Sequence, residues 1–174
     1  DRILKLMNRK YDTSFYMDKI ARIRKKIPGI AITTDVIVGF PGETEADFIQ
    51  SMAFIETIGF NELHVFPYSR RPGTVAAKMP DDVPNETKKE RVAKLISLGH
   101  EMAKKAIRAK VGSLLNVIVE RKKNGFLTGH SSEYISVAFK GDESLVGKEV
   151  LVRLVEERYP MSVAVLVKKS DEIK

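Results

Sequence analysis

The run Ile30-Ala31-Ile32-Thr33-Thr34-Asp35-Val36-Ile37-Val38, closed by Gly39-Phe40-Pro41-Gly42, constrains the fold more than any other stretch of the chain. Near-continuous β-branched residues describe a strand buried on both faces, and the glycines describe a sharp turn out of it. Thr44 then caps a helix, with Asp47 three residues on as its capping-box partner. Phe48, Met52, Ile55 and Ile58 line the apolar face of that helix, and Gly59 ends it. A second strand follows over Leu63–Phe66. Upstream, Ile3, Leu4 and Met7 sit at helical spacing over Arg2–Asn8. Thr13 or Ser14 can cap a further helix carrying Met17, Ile20, Ile23 and Ile27, stopped by Pro28-Gly29. Strands alternating with helices define parallel β/α units, an open sheet or part of a barrel.

The texture changes twice along the chain. Residues 72–84 hold three prolines and a glycine and read as a linker. Asn85 caps a long helix with Val92, Leu95, Ile96, Gly99, Met102, Ala103, Ala106 and Ile107 on one stripe, its Lys and Arg mostly off it. From Val111 the pattern is of five short strands, 115–120, 125–129, 135–139, 149–155 and 163–168, which predicts a small closed barrel. The expected organisation is therefore a β/α part with its linker over 1–84, a connecting basic helix over 85–110, and an all-β barrel over 111–174.

Charge is concentrated in the connecting helix. Of the net +7, residues 85–110 carry 8 basic and 3 acidic side chains, whereas residues 111–174 carry 10 and 9. Such a stretch attracts a polyanion, or is the solvated face of a helix. The chain has no cysteine, so disulfides, thiolate metal sites and a cysteine nucleophile are excluded within it. No metal site and no catalytic side chain are assigned. No apolar run approaches the roughly 20 residues that cross a bilayer, and no secretory leader is read at the start, so a cytoplasmic location is expected.

Several residues invite a chemical reading. Asp35 is an ionisable group inside an apolar strand and needs a partner; that partner is either a ligand hydroxyl or a neighbouring backbone or Arg. The Gly39–Gly42 turn either lets backbone approach a ligand, with the next helix start free for an anion, or is an ordinary capped βα turn. Arg9 can fork onto a carboxylate, or with Lys10 complement a helix dipole. His64, on an apolar strand, reads as a satisfied core histidine. In the barrel, Arg121-Lys122-Lys123-Asn124-Gly125 reads as a basic hairpin turn and Gly129-His130-Ser131-Ser132-Glu133-Tyr134 as a polar loop, suited to phosphate contact and base stacking or merely solvated.

Three strings carry a resemblance: Asp1-Arg2-Ile3-Leu4 with Met7-Asn8-Arg9-Lys10-Tyr11, then Thr34–Thr44, then Val65-Phe66-Pro67-Tyr68-Ser69 with Arg71-Pro72-Gly73-Thr74. In order and spacing they resemble the radical S-adenosylmethionine (SAM) methylthiotransferases, and the chain from Val111 resembles the TRAM barrel of that family, an RNA-binding module. The resemblance implies the last part of a partial (β/α) radical SAM barrel followed by TRAM. It implies Arg9 on the SAM carboxylate, Asp35 on the ribose hydroxyls, and Gly39, Phe40, Pro41, Pro67 and Tyr68 around the adenine. For Phe40 and Tyr68, core packing competes with that role. It implies tRNA as partner, with Arg121, Lys122, Lys123, His130, Tyr134, Lys168 and Lys169 as candidate RNA contacts.

The family's chemistry is reductive cleavage of SAM to a 5′-deoxyadenosyl radical, hydrogen abstraction, and insertion of a methylthio group. It requires two 4Fe–4S clusters, one on a C-x-x-x-C-x-x-C motif, and a reductant such as flavodoxin or ferredoxin. The cluster cysteines are absent here, so the segment by itself is expected to be inactive. The string Glu62–Thr74 looks most like the branch acting on threonylcarbamoyl-adenosine in tRNA. Isopentenyl-adenosine tRNA, a ribosomal protein, or a non-catalytic RNA-binding role are the alternatives.

Overall fold

The computed structural model describes residues 1–167. They form two compact units, Asp1–Met102 and the chain from Ala103 onward. No helix among the described residues is long and apolar enough to cross a membrane.

The first unit contains α1 (Arg2–Leu6), α2 (Thr13–Lys26), β1 (Thr33–Val38), α3 (Glu45–Ile58), β2 (Glu62–Pro67) and most of α4 (Asn85–Arg108), with a 3₁₀ turn at Ala76–Lys78. β1 and β2 pair in parallel, with Asp35 opposite His64 and Val38 opposite Pro67. Ile20, Val38, Phe48, Ile55, Ile58, Phe60 and Leu95 form the core, with Val36, Leu63, Val65, Val92 and Leu98 packed on it. The capping box at Thr44 and Asp47 and the left-handed Gly59 stop, at φ 66°, are as the sequence predicts.

The strand expectation needs correction. β1 is shorter than the apolar run, and it is buried on one face only: Thr33, Asp35 and Ile37 are exposed while Val38 is buried. β2 alternates likewise, so His64 and Phe66 stand on the open face and His64 is not a core residue. Only the face bearing Val36, Val38, Leu63 and Val65 packs on the core; period-two alternation turns the rest outward. α2 is capped by Asp12, whose carboxylate accepts from Phe15 N–H at 2.8 Å, because Thr13 is itself held by Asp1. Met17, Ile23 and Ile27 are exposed, and Ile20 alone of that face is buried.

α4 also departs from its predicted stripe. Ile96 is exposed and Leu98 takes its place against the core. More consequentially, Lys88 and Arg91 are buried, at 3% and 4% exposure. The spacing Lys88, Arg91, Leu95 is that of one helical face, so two cations of the basic segment are internal to the fold.

The second unit is a closed barrel ordered β3-β4-β5-β7-β6, from β3 (Leu114–Lys123), β4 (Phe126–Ser131), β5 (Ser136–Phe139), β6 (Glu149–Glu156) and β7 (Ser162–Leu166). Neighbours are antiparallel except β5 and β7. Val117, Val119, Leu127, Val137, Val152 and Leu154, all without exposed surface, fill its interior. Asn124 and Gly125, at φ 51° and 82°, make the β3–β4 turn, the Asn-Gly geometry that suits the twist of a two-residue hairpin. Gly129 is needed for another reason: a Cβ there would lie 2.0 Å from the Ile118 carbonyl oxygen, next to a bulge between Val119 and Arg121.

Candidate functional site

The open face of β1 and β2 is one wall of a concavity of about 1230 Å³ within the first unit. Its lining includes Arg9, Asp35, Phe40, Pro67 and Tyr68, five of the residues singled out in the sequence. Gly39 and Pro41 do not line it, and the reason for Gly39 is visible. Its φ is +71°, and a Cβ there would stand 2.4 Å from Lys88 Cγ. The close approach that this glycine permits is to α4, not to the concavity.

Arg9 follows α1, after Asn8 at φ 57° turns the chain and its own N–H bonds the Leu4 carbonyl at 2.9 Å. Asp35 sits at mid-strand in β1. Among the described residues, neither the Arg9 guanidinium nor the Asp35 carboxylate has a hydrogen-bond or ion-pair partner, and the same is true of the Arg71 guanidinium, whereas Asp1, Glu43 and Asp47 of the lining are paired. A neighbouring backbone or Arg partner for Asp35 is thus not supplied by this chain's described part. Phe40 is buried and meets Tyr68 edge-on at 5.3 Å between ring centroids, so both rings are packed while lining the concavity.

The turn between β1 and α3 is fixed by charges that the sequence reading missed. Glu43, 8% exposed, accepts from Gly39 N–H at 3.0 Å and from Arg91 at 2.7 Å. Arg91 also reaches the Glu43 carbonyl and the Glu45 carboxylate, and lies over the Phe48 ring. Burial pushes the Glu43 carboxyl up from its ordinary value, opposed by the Gly39 N–H and by Arg91. Asp82 accepts from Gly42 N–H at 2.8 Å. Asp47 is held well below the usual carboxylate range, first by its hydrogen bond from Arg2 and further by Thr44. The start of α3 is therefore capped and neutralised by the chain's own Thr44 and Asp47, and the anion site that the sequence allowed there is already taken. The available signal was a cation at two successive turns of a helix's apolar stripe, with acidic residues clustered in the turn opposite.

On the barrel, Arg121–Lys123 belong to the end of β3, not to a turn, and Gly129–Ser131 belong to β4, not to a loop. Strand pairing extends up to the Asn124-Gly125 hairpin, so these side chains alternate between faces. Lys122 pairs with Glu143, and His130 Nδ1 lies 2.6 Å from Glu120. Tyr134, at φ 63°, is two-thirds exposed. Lys168 and Lys169 lie outside the described residues. Among the described residues no cluster of His, Asp or Glu suited to a metal ion is found.

A concave β/α site with an unpaired guanidinium and an unpaired carboxylate sits in a segment whose residues 1–55 match the model of the radical SAM superfamily. The threonylcarbamoyladenosine tRNA methylthiotransferase MtaB of Bacillus subtilis is 42% identical over 163 residues, covering 91% of this chain and 36% of that protein. The tRNA-2-methylthio-N(6)-dimethylallyladenosine synthase of Acetivibrio thermocellus is 44% identical over 156 residues, covering 88% and 32%. A synthase of the same name from Aquifex aeolicus is 38% identical over 156 residues, covering 90% and 36%. The chain belongs to the radical SAM methylthiotransferase family. It spans about a third of the length of these relatives.

Proposed function

We propose that this chain is the part of a tRNA methylthiotransferase that completes the SAM site and grips the RNA. The observation that carries the reading is the pair of unpartnered, opposite charges, Arg9 and Asp35, on one concave surface in a chain of this family. The residues fit the cofactor's chemistry: a guanidinium forks onto a carboxylate, and an acceptor-only carboxylate suits the two hydroxyls of a ribose. Phe40, Pro67 and Tyr68 supply an apolar wall for a purine. Bound there, SAM would supply the family's radical chemistry. This chain's residues bind and orient it, and its cysteine-free sequence holds neither 4Fe–4S cluster. The cluster thiolates belong to other segments of the enzyme, which would draw electrons from a flavodoxin or ferredoxin, so this segment alone does not turn over.

In the same reading the barrel is the TRAM module, and Arg121, Lys122, Lys123, His130 and Tyr134 are its exposed RNA candidates. Two names among the relatives point to two substrates, threonylcarbamoyladenosine and dimethylallyladenosine. The Glu62–Thr74 string favours the first. In the full-length, cluster-loaded enzyme, Asp35→Ala removes charge-assisted hydrogen bonds and is expected to weaken SAM binding at least about tenfold by calorimetry. Unchanged binding would remove Asp35 from the site. Mass spectrometry of tRNA from cells lacking and regaining the gene assigns the base; methylthiolation confined to dimethylallyladenosine would overturn the substrate assignment.

A further inference from the structure

Lys88 is the most deeply buried cation described, on a helix whose charge suggests an outward face. A methionine of similar length would bury there without the cost of desolvating an ammonium, so what the charge contributes must lie in its contacts. It makes two. Nζ donates to Asp81 Oδ1 at 2.6 Å, tying down the segment that precedes α4. The same ammonium stands 5.5 Å from the centroid of the Tyr68 ring. Its stem fills the space left by the missing side chain of Gly39.

Tyr68 has an unusual status in the concavity. Its hydroxyl is buried with no hydrogen-bond partner among the described residues. The ring that lines the site is thus not anchored through its polar end. It is held by its backbone N–H on the Val38 carbonyl at 2.8 Å, by the edge contact with Phe40, and by the cation on its face. Phe40 is the residue next to Gly39, against which the Lys88 stem lies.

We propose that Lys88 is a positioning residue for the adenine side of the SAM site, fixing the Tyr68 ring by a cation–π contact while Asp81 fixes the ammonium. This rests on the reading of the concavity as a SAM site. Lys88 touches no cofactor itself; it sets the plane of the ring that does.

The test uses the full-length, cluster-loaded enzyme and SAM binding by calorimetry. Lys88→Met keeps the stem under Gly39 and removes the charge. Removing a desolvated cation–π interaction predicts SAM affinity lower by roughly threefold to tenfold, with cluster absorbance and tRNA affinity unchanged. In a Tyr68→Leu background the same change should have no further effect on SAM, because the ring through which Lys88 acts is gone. That coupling is the readout which a merely structural lysine would not produce. Asp81→Asn, at a more exposed position, serves if Lys88→Met fails to fold, and the same cycle applies to it. SAM affinity within about twofold of wild type, or an undiminished loss in the Tyr68→Leu background, overturns the proposal. A wild-type enzyme that binds no SAM would instead overturn the reading of the concavity, and the two failures are told apart by that single control.

Discussion

Replacing Arg91 with methionine isolates the charge that holds the β1–α3 turn. The arginine is 4% exposed and its side chain makes two hydrogen bonds to Glu43, at 2.7 and 3.2 Å, and one to Glu45 at 3.1 Å. The Glu45 arm is worth little, because Glu45 is mostly exposed and water screens it. The Glu43 arm is different, since both side chains are about 5% exposed. Removing one partner of a buried pair typically costs about 3–5 kcal/mol, chiefly from stranding the other charge. Methionine conserves most of the buried volume, so the cost should come from Glu43 left with only the Gly39 N–H.

The effect must depend on pH in a stated direction. Burial already raises the Glu43 carboxyl, and Arg91 is among the groups opposing that rise. Without Arg91 the folded-state value moves further above the unfolded one. A group raised in this way favours folding below its unfolded value and loses that contribution as pH rises through the folded value. The Arg91→Met defect should therefore be largest near neutrality and shrink as the pH is lowered to about 5. Equilibrium urea unfolding of wild type and variant across that range, compared as differences at each pH, measures it. A defect below about 1 kcal/mol at neutral pH, or one of constant size throughout, would refute the claim that Arg91 neutralises a buried carboxylate.

Two further outcomes test the barrel. Gly129→Ala forces a methyl group against the Ile118 carbonyl oxygen, 2.0 Å from its ideal position, and overpacking of this kind costs about 1–3 kcal/mol or more. Thermal unfolding indistinguishable from wild type would mean that β3 and β4 can part at Gly129 without cost. Reversing Arg121, Lys122 and Lys123 to Glu should weaken tRNA binding and flatten its salt dependence, by a little under one unit of log–log slope for every phosphate no longer neutralised. Lys122 is already paired with Glu143 and should contribute least. If that variant binds tRNA normally while reversal of the exposed helix cations Lys89 and Lys94 abolishes binding, the RNA surface lies on α4.

The local code of this chain determined a good deal by itself. The Thr44–Asp47 box, the Gly59 stop and the Asn124-Gly125 turn are short-range devices, satisfied by atoms a few residues apart, and the structure reproduces each. The separation into a β/α part and a five-stranded barrel follows from the same local signals. Arg9 and Asp35 invited a chemical reading from their types and their neighbours, Phe40, Pro67 and Tyr68 became candidates through the family resemblance, and only the fold gathers them on one surface. Which face of β1 is buried was not legible, because a β-branched run looks alike whether one side or two is covered. Packing against α3 and α4 decided it, and the same packing turned His64 outward. Least legible was the fate of the basic helix. Lys88 and Arg91 look solvent-seeking in sequence; tertiary contact buries them against Asp81, Glu43 and two aromatic rings, with the two carboxylates 7 and 48 residues away along the chain. A charge is placed inside only when its counter-charge arrives from elsewhere in the fold, and that pairing is a property of three-dimensional neighbours, not of chain neighbours.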